Sequence, residues 1–283
     1  PIKLIKIANQ VNFSKEFNKS IKKTIQSTLN NTITVLQVPT DTNKTSTMVE
    51  IILQHLENYH TFPILVVAAS NIAIDNIAEK LLDKYGNSLL RIVSAEKEKE
   101  YPEDHLLGKI TLHYKTDQII SDDMKAVKKA LRTGYGLHVS QNQFKKLVSS
   151  QARASEKLVA NSKVIFTTTV VAGCAQLKSV AKMPVIIMDE ATQSSEPTTL
   201  IPLSMPGVKK FVFVGDQNQL SSFSKVSNLE FSLFERVIKN GTYRDAHMLN
   251  VQYRTHTNIS AFLRKSFYND LLSDGFTVEA CIK

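Results

Sequence analysis

The stretch Val185-Ile-Ile-Met-Asp-Glu190 decides the fold of this chain. Its four apolar residues predict a short strand that is buried on both faces, as strands of parallel sheets are. Two carboxylates follow the strand at once. Because ligands of open parallel sheets bind beyond the carboxyl ends of the strands, Asp189 and Glu190 are predicted to lie at a ligand site. The alternative is that this acidic pair only caps a following helix.

Similar apolar runs recur along the chain and alternate with helical patterns. Short, mostly apolar runs predict further strands at residues 32–36, 64–68, 164–168 and 211–214. Apolar residues at helical spacing predict helices within residues 11–30 and over residues 48–56 and 70–82. The alternation predicts an α/β fold with a parallel sheet.

The first predicted strand is followed by Val38-Pro-Thr-Asp-Thr-Asn-Lys-Thr45 and then by a helix. The order strand, loop, helix is the one that a phosphate-binding loop requires. Two carboxylates at the same sheet edge would suit a metal-bound triphosphate: one would hold Mg²⁺, and the other would orient or deprotonate the attacking water.

Composition narrows the class of protein. The chain has 283 residues, of which 42% are hydrophobic, which suits one large or two ordinary globular domains. No apolar run is long enough to span a bilayer, and we expect a soluble intracellular protein without a membrane partner. Cys174 and Cys281 lie far apart and outside any metal-ligand spacing, which argues against a disulfide framework or a zinc site.

A formal charge of +9 suits a polyanionic partner such as nucleic acid. Part of this charge lies in a charged helical stretch at about residues 94–160, which we interpret as an insertion into the α/β domain. Two readings of the insertion stay open: it contacts nucleic acid, or its charges only solvate an exposed face. Its basic residues include Lys97, Lys99, Lys125, Lys128, Lys129, Arg132, Lys145, Lys146 and Arg153.

Three ordered motifs add a family resemblance. They are Met188-Asp-Glu-Ala-Thr-Gln193, Gly215-Asp-Gln-Asn-Gln-Leu220 and Gln252-Tyr-Arg-Thr-His256. They resemble motifs II, III and IV of the Upf-like branch of superfamily 1 helicases, Asp-Glu-Ala-x-Gln, Gly-Asp-x-x-Gln-Leu and Gln-Tyr-Arg-Met-His, with Thr255 in the place of Met. Residues 69–75 and 164–173 are similar to motifs Ia and Ic, so the resemblance covers nearly the whole chain.

The resemblance implies a RecA-like P-loop NTPase fold with a helical insertion, followed by the start of a second RecA-like domain. Residues 1–235 are expected to form the first domain, with the insertion at about 94–160. Residues 236–283 are expected to begin the second domain, and the chain would stop before that domain's later motifs.

The resemblance also implies the site residues. Asp189 would hold Mg²⁺, Glu190 would orient the hydrolytic water, Gln219 would sense the γ-phosphate, and Arg254 would stabilise transition-state charge. Residues expected to bind ATP are Asp41, Thr42, Asn43, Lys44, Thr45 and Tyr253, with Thr45 also a ligand of the metal. Residues expected to grip a sugar-phosphate backbone are Ser70, Asn71, Thr168, Thr169 and Gly173, which alternatively only cap strand ends.

The phosphate loop departs from the family pattern Gly-x-x-Gly-x-Gly-Lys-Thr. Val38, Asp41 and Asn43 stand where that pattern has glycine, which permits positive φ and close approach of backbone N–H groups to phosphate. We expect strain at these positions, worst at β-branched Val38 and mildest at Asn43, and repulsion between Asp41 and a polyanion. Upstream, Phe17 stands where the family has an adenine-reading Gln.

Three functions are weighed on this basis. The first is an ATP- and Mg²⁺-dependent helicase that moves along single-stranded RNA or DNA, with RNA favoured by analogy. The second is an altered helicase that binds nucleic acid or protein with little or no ATPase activity. The third is another P-loop enzyme such as a nucleotide kinase, against which motifs Ia and IV argue. We expect a monomer in the cytoplasm, although a nuclear relative would look the same.

Overall fold

A seven-stranded parallel sheet forms the centre of the molecule. The computed structural model describes residues 11–133, 139–178, 182–243 and 246–275. The strands are β1 Ile33–Gln37, β2 Ile64–Ala68, β3 Leu89–Arg91, β4 Val164–Thr168, β5 Val185–Asp189, β6 Lys210–Gly215 and β7 His247–Met248. Their spatial order is β3-β4-β2-β5-β6-β1-β7, and every neighbouring pair is parallel. The predicted α/β class with a parallel sheet is confirmed.

Helices cover both faces of this sheet. They are α1 Lys19–Asn30, α2 Lys44–Glu57, α3 Asn71–Tyr85, α4 Leu112–Ile119, α5 Asp122–Arg132, α6 Gln141–Asn161, α7 Ala175–Lys178, α8 Glu196–Leu203, α9 Leu233–Lys239 and α10 Thr257–Phe267. Alternate residues of β5 enter two different cores: Val185 and Ile187 pack with α1, α2 and α3, whereas Ile186 and Met188 pack with residues of α6, α7 and α9. Burial on both faces explains why this strand reads as one continuous apolar run.

The helical insertion lies between β3 and β4 and consists of α4, α5 and α6. It has a small core of its own, formed by Ile120, Val127, Leu147 and Ala154. One attachment to the sheet is made by Lys115, whose Nζ donates to the Leu89 carbonyl at 2.7 Å. The insertion is thus helical as predicted, and its limits at residues 94 and 160 stay a prediction.

The carboxyl-terminal part forms a second, smaller unit. Strand β8 (Val251–Gln252) runs parallel to β9 (Ser273–Asp274), and α10 connects them. Before this unit, β7 pairs with β1 in the large sheet, and Leu249 is buried. The predicted start of a second domain at residue 236 stays a prediction. Among the described residues, no helix is long and apolar enough to cross a membrane.

Candidate nucleotide site and nucleic-acid edge

Three neighbouring strands bring the predicted catalytic segments to one edge of the sheet. Strand β1 leads into the phosphate loop, β5 ends at Asp189, and β6 ends at Gly215, the first residue of motif III. Because β6 lies between β5 and β1, the three carboxyl ends are adjacent. The sheet order therefore places these three segments together, although β1 ends at Gln37 and the other two strands end far along the chain, at Asp189 and Gly215.

The phosphate loop adopts positive φ at two of the three positions where the family pattern has glycine. Asp41 has φ 62° and Asn43 has φ 65°. Asn43 precedes the first residue of α2, and its carbonyl accepts a hydrogen bond from the Thr47 N–H at 3.0 Å. Buried Thr42 stabilises the turn, since its hydroxyl donates to the Pro39 carbonyl at 2.7 Å. The loop therefore keeps the left-handed backbone without the glycines that make it easy.

The expectation of strain at Val38 is wrong. Val38 is not among the residues of positive φ in the described part of the chain. Its N–H donates to the Gly215 carbonyl at 2.8 Å, which continues the pairing of β1 with β6, and its side chain is buried in the core. β-Branched residues favour such extended backbone.

Lys44 joins the phosphate loop to the acidic pair. Its Nζ lies 3.1 Å from Oδ1 of Asp189 and 3.8 Å from Oε1 of Glu190. Asp189 is almost fully buried, and this burial raises the pKa of its carboxyl group, while the charge of Lys44 opposes the rise. One cation thus balances two carboxylates at the position where a phosphate chain would need the same cation.

The alternative that the acidic pair only caps a helix is not what the structure has. Helix α8 begins at Glu196 after Ser195, and Glu190 makes no side-chain capping hydrogen bond. Instead Glu190 has φ 49°, which turns the chain sharply after β5, and its N–H donates to Asp189 Oδ1 at 2.8 Å. The two carboxyl groups therefore face the loop side of the sheet together with Lys44.

The oxygen-bearing side chains of Asp189 and Thr45 are of the chemical kind that binds a hard divalent cation. Thr45, the second residue of α2, supplies a hydroxyl oxygen one position after Lys44, and Asp189 supplies a carboxylate. Mg²⁺ prefers oxygen ligands and is usually held by one or two protein groups together with substrate phosphates. Thr45 and Asp189 match that pattern.

Motif III contains a buried network that the sequence analysis missed. Asp216 is 3% exposed and accepts hydrogen bonds on Oδ2 from Gln219 Nε2 at 2.8 Å and from the Tyr268 hydroxyl at 2.6 Å. Gln37 Nε2 donates to the other oxygen at 3.2 Å. Burial and the hydrogen bond to Asp216 raise the pKa of Tyr268. Asp216 thus orients Gln219 and ties it to the segment after α10, a contact between residues too far apart in sequence to be predicted.

The motif IV segment lies against the phosphate loop. Arg254 is largely exposed, and its Nη1 lies 3.6 Å from Asp41 Oδ1. The Tyr253 N–H donates to the Asp41 carbonyl at 3.0 Å, and its hydroxyl accepts from Asn18 Nδ2 at 2.7 Å. Phe17, next to Asn18, packs edge-on against Phe13. Tyr253 and Arg254 therefore both contact Asp41 of the phosphate loop.

The ends of β2 and β4 bring together the residues predicted to bind nucleic acid. Ser70 and Asn71 follow β2, and Thr168 ends the adjacent strand β4. Thr169 follows and donates its N–H to the Ala68 carbonyl at 2.9 Å, and Gly173 packs so closely that an added Cβ would lie 3.1 Å from Ile201. Ser70, Asn71, Thr168 and Thr169 thus lie at or just beyond the adjacent ends of β2 and β4, and a role of all five residues in binding nucleic acid stays a prediction.

Three of these side chains also have internal partners, and the Thr169 hydroxyl lies 3.5 Å from that of Ser194. Ser70 caps α3 by accepting from the Ala73 N–H at 3.2 Å, and its hydroxyl lies 3.4 Å from Glu190 Oε2. The Asn71 side-chain oxygen accepts from Arg91 Nη2 at 2.7 Å. Arg91 is fully buried and pairs with Asp75 at 2.8 Å, a role that no sequence pattern indicated. Ser70 therefore caps a helix start, which differs from the strand-end capping of the alternative, and its hydroxyl also lies beside Glu190.

The chain matches known family models over most of its length. A family model described as an AAA domain matches residues 16–135 and 135–226. A second AAA-domain model matches residues 229–281.

Curated relatives agree with these matches. The chain is 50% identical over 281 residues to "Putative ATP-dependent RNA helicase ECM32" of Saccharomyces cerevisiae, covering 99% of this chain and 25% of that protein. It is 32% identical to ATP-dependent helicase upf1 of Schizosaccharomyces pombe, covering 87% and 27%. It is 33% identical to DNA polymerase alpha-associated DNA helicase A of the same yeast, covering 85% and 37%.

The chain thus spans between a quarter and just over a third of the length of these relatives. The two AAA-domain matches and the helicase relatives agree with the motifs at the sheet edge. The chain belongs to the AAA-domain family, in its Upf-like branch of superfamily 1 helicases.

Proposed function

We propose that the protein is an ATP-dependent helicase, and that this chain carries the site where ATP is bound and hydrolysed. The observation that carries the proposal is the position of Lys44 on both Asp189 and Glu190, at a sheet edge that also holds Gln219. Phosphoryl transfer depends on positioning and on electrostatic stabilisation, and this arrangement supplies both.

Each residue would have a distinct part in the reaction. Lys44 would leave the carboxylates and pair with the phosphate chain. Thr45 and Asp189 would hold Mg²⁺, which neutralises charge on the phosphates when bound. Glu190 would accept a proton from the attacking water, since its carboxylate lies 3.8 Å from Lys44 of the phosphate loop.

Two further groups would act on the developing charge. Gln219, oriented by Asp216, would contact the γ-phosphate. Arg254 would turn from Asp41 towards the transferred group and stabilise its charge. Tyr253 would flank the nucleotide beside Asn18.

Single-stranded nucleic acid is the proposed track. Ser70, Asn71, Thr168, Thr169 and Gly173 share the edge formed by β2 and β4, adjacent to β5 and the hydrolytic residues. Hydroxyl, amide and backbone N–H donors grip phosphates without reading bases. The Ser70 hydroxyl, at 3.4 Å from Glu190, would let occupancy of this edge influence the water-activating carboxylate. Relatives named as RNA and as DNA helicases both match, so the proposal covers either polymer.

The division of labour between domains belongs to the same proposal. Residues 1–235 would form the first motor domain, and residues 236–283 would begin the second. Opening and closing between the two domains around ATP would move the protein along the strand.

A second candidate, a binding module without ATPase activity, is favoured by Asp41, whose carboxylate lies in the phosphate loop. Calorimetry of the full-length protein with MgATP, with and without a single-stranded oligonucleotide, separates the two. Micromolar ATP binding that tightens with the oligonucleotide supports the motor. Oligonucleotide binding without ATP binding supports the module.

The hydrolytic role is tested by Glu190→Gln. Hydrolysis should fall by a factor of about 100 to 10,000, while ATP binding stays within a few-fold of wild type, because only the proton acceptor is lost. Glu79→Gln, an exposed glutamate on α3, is the matched control and should leave both unchanged. An unchanged hydrolysis rate in Glu190→Gln would show that another group activates the water.

A further inference from the structure

Two of the positions at which this chain departs from the family motifs contact each other. Asp41 stands where the phosphate loop of the family has glycine, and Thr255 stands where motif IV has methionine. The Thr255 hydroxyl donates to Asp41 Oδ2 at 3.0 Å. Glycine offers no side-chain acceptor and methionine no donor, so this hydrogen bond requires both departures.

The contact is part of a wider attachment of the loop to residues 253–255. On the loop side, the Asp41 carbonyl accepts from the Tyr253 N–H at 3.0 Å, and Oδ1 lies 3.6 Å from Arg254 Nη1. Asp41 makes these contacts from a backbone at φ 62°. The carboxylate is mostly shielded, with 18% of its side chain exposed, whereas Arg254 is 85% exposed.

Hydrogen bonds with Gln252 hold Thr255, the other residue of the contact. Gln252 Oε1 accepts from the Thr255 N–H at 2.8 Å and from the Arg254 N–H at 3.0 Å. Gln252 Nε2 in turn donates to Asp274 Oδ1 at 2.6 Å. Buried Gln252 therefore fixes the backbone of Arg254 and Thr255 next to the loop.

We propose that Asp41 is an internal competitor of the nucleotide's phosphates: its carboxylate holds Thr255 and Arg254, and an incoming triphosphate must displace it from Arg254. The inference rests on the proposed ATP site. A carboxylate and a phosphate are both anionic acceptors that pair with arginine, so Asp41 and the nucleotide compete for Arg254, while the Thr255 hydroxyl holds the Asp41 carboxylate in place. ATP binding would then release the segment after β8 from the loop.

This account differs from simple repulsion between Asp41 and the phosphates. Repulsion depends on the carboxylate alone, and the hydroxyl of Thr255 would be irrelevant to it. Competition depends on the pair, so removal of the Thr255 hydroxyl should also tighten ATP binding. The two accounts are separated by a variant that leaves the charge of Asp41 in place.

The test measures MgATP affinity by calorimetry on the full-length protein and on four variants: Thr255→Val, Thr255→Ser, Asp41→Gly and the double variant Asp41→Gly/Thr255→Val. We expect Thr255→Val to bind ATP three- to tenfold more tightly than wild type, and Thr255→Ser, which keeps the hydroxyl, to match wild type. Asp41→Gly should bind at least tenfold more tightly. In the Asp41→Gly background, Thr255→Val should add nothing.

Three results would overturn the proposal. Wild-type affinity in Thr255→Val, or equal gains from Thr255→Val in both backgrounds, would show that the two residues do not act together. A gain of the same size in Thr133→Val, a matched exposed threonine at the end of α5, would show that the effect does not depend on the site. Melting curves confirm that each variant is folded. Absence of ATP binding in every variant would instead refute the proposed nucleotide site itself.

Discussion

The phosphate loop and the turn after β5 solve the same conformational problem with different residues. Both hold non-glycine residues at positive φ: Asp41 at 62° and Asn43 at 65° in the loop, and Glu190 at 49° in the turn. The turn keeps the acidic pair of its motif, whereas the loop has lost the glycines of its own. In both regions the tight turn after a strand requires a left-handed backbone. A non-glycine residue in that conformation carries a strain of about 1–2 kcal/mol.

The two regions also differ in where their side chains act. In the turn, Asp189 is buried and pairs with Lys44 of the loop. The carboxylate of Asp41 reaches outward to the motif IV segment. With Asp41 in place of glycine, the loop makes an additional side-chain contact and still has positive φ at this position.

The largest expected effect concerns the residue shared by both regions. Lys44→Met should lower ATP affinity about a thousandfold, or roughly 4 kcal/mol, because Asp189 and Glu190 would then face the phosphates without a cation. Titration calorimetry with MgATP measures the change. Lys80→Met, an exposed lysine on α3, is the control and should bind ATP like wild type. A Lys44→Met affinity close to wild type would mean that the loop no longer depends on this lysine.

A second prediction concerns how the stability of the protein depends on pH, and it arises from α2, the helix that begins at the loop. Burial and the charge of Lys210 lower the pKa of His55, on α2, from 6.5 to about 4. The folded state therefore binds the proton less readily than the unfolded state, and stability is complete above pH 6.5 and falls as the pH drops towards 4. The shift corresponds to about 3 kcal/mol of unfolding free energy.

Chemical denaturation at pH 7 and at pH 4.5 measures this loss. His55→Leu should remove most of the part of the pH dependence that lies between these values, because leucine cannot titrate. Carboxylates contribute equally to both proteins and cancel in the difference. The same loss of stability in both proteins would rule out His55 as its source.

A third prediction separates Val38 from the other altered loop positions. Val38→Gly should lower the unfolding free energy by about 2 kcal/mol and leave ATP affinity unchanged, because it removes a buried side chain from extended backbone. Denaturation and calorimetry on the same variant test both parts. Tighter ATP binding by this variant would mean that the family glycine matters here for a reason other than φ.

The smallest expected effect is at Asn43. Asn43→Gly should increase ATP affinity up to about fivefold, or roughly 1 kcal/mol, since glycine adopts positive φ without strain. Asn31→Gly is a suitable control because Asn31 has φ −98° and gains nothing from glycine. If both substitutions changed affinity equally, backbone strain at Asn43 would not limit ATP binding.

Local patterns predicted most of the fold. The strands at residues 64–68 and 164–168 have the predicted bounds, and the β5 and β6 predictions are within one residue at each end. Strand β3 escaped detection because it has three residues and ends in a buried arginine, Arg91. Its charge is satisfied by Asp75 and Asn71, which only the folded chain brings near.

The candidate site was predictable as a set of residues and only partly as a set of contacts. Strand ends placed Lys44 and Asp189 together because the sheet order follows from βαβ connections. The contacts of Asp41 with Thr255 and of Asp216 with Tyr268 join residues 214 and 52 positions apart, and no local pattern encodes them. The residue types at Asp41 and Val38 suggested strain, whereas only the backbone angles showed which of them bears it.

The short strand β7 has a consequence for self-association of the chain. Although it has two residues, it covers the outer edge of β1 at Leu36 and Gln37. An uncovered strand edge is a template on which a second polypeptide adds by backbone pairing, and this begins many aggregation reactions. Proteolysis before His247 would uncover this part of the edge, so we expect fragments ending there to self-associate more than fragments that retain Leu249, in which Leu36 and Gln37 stay paired.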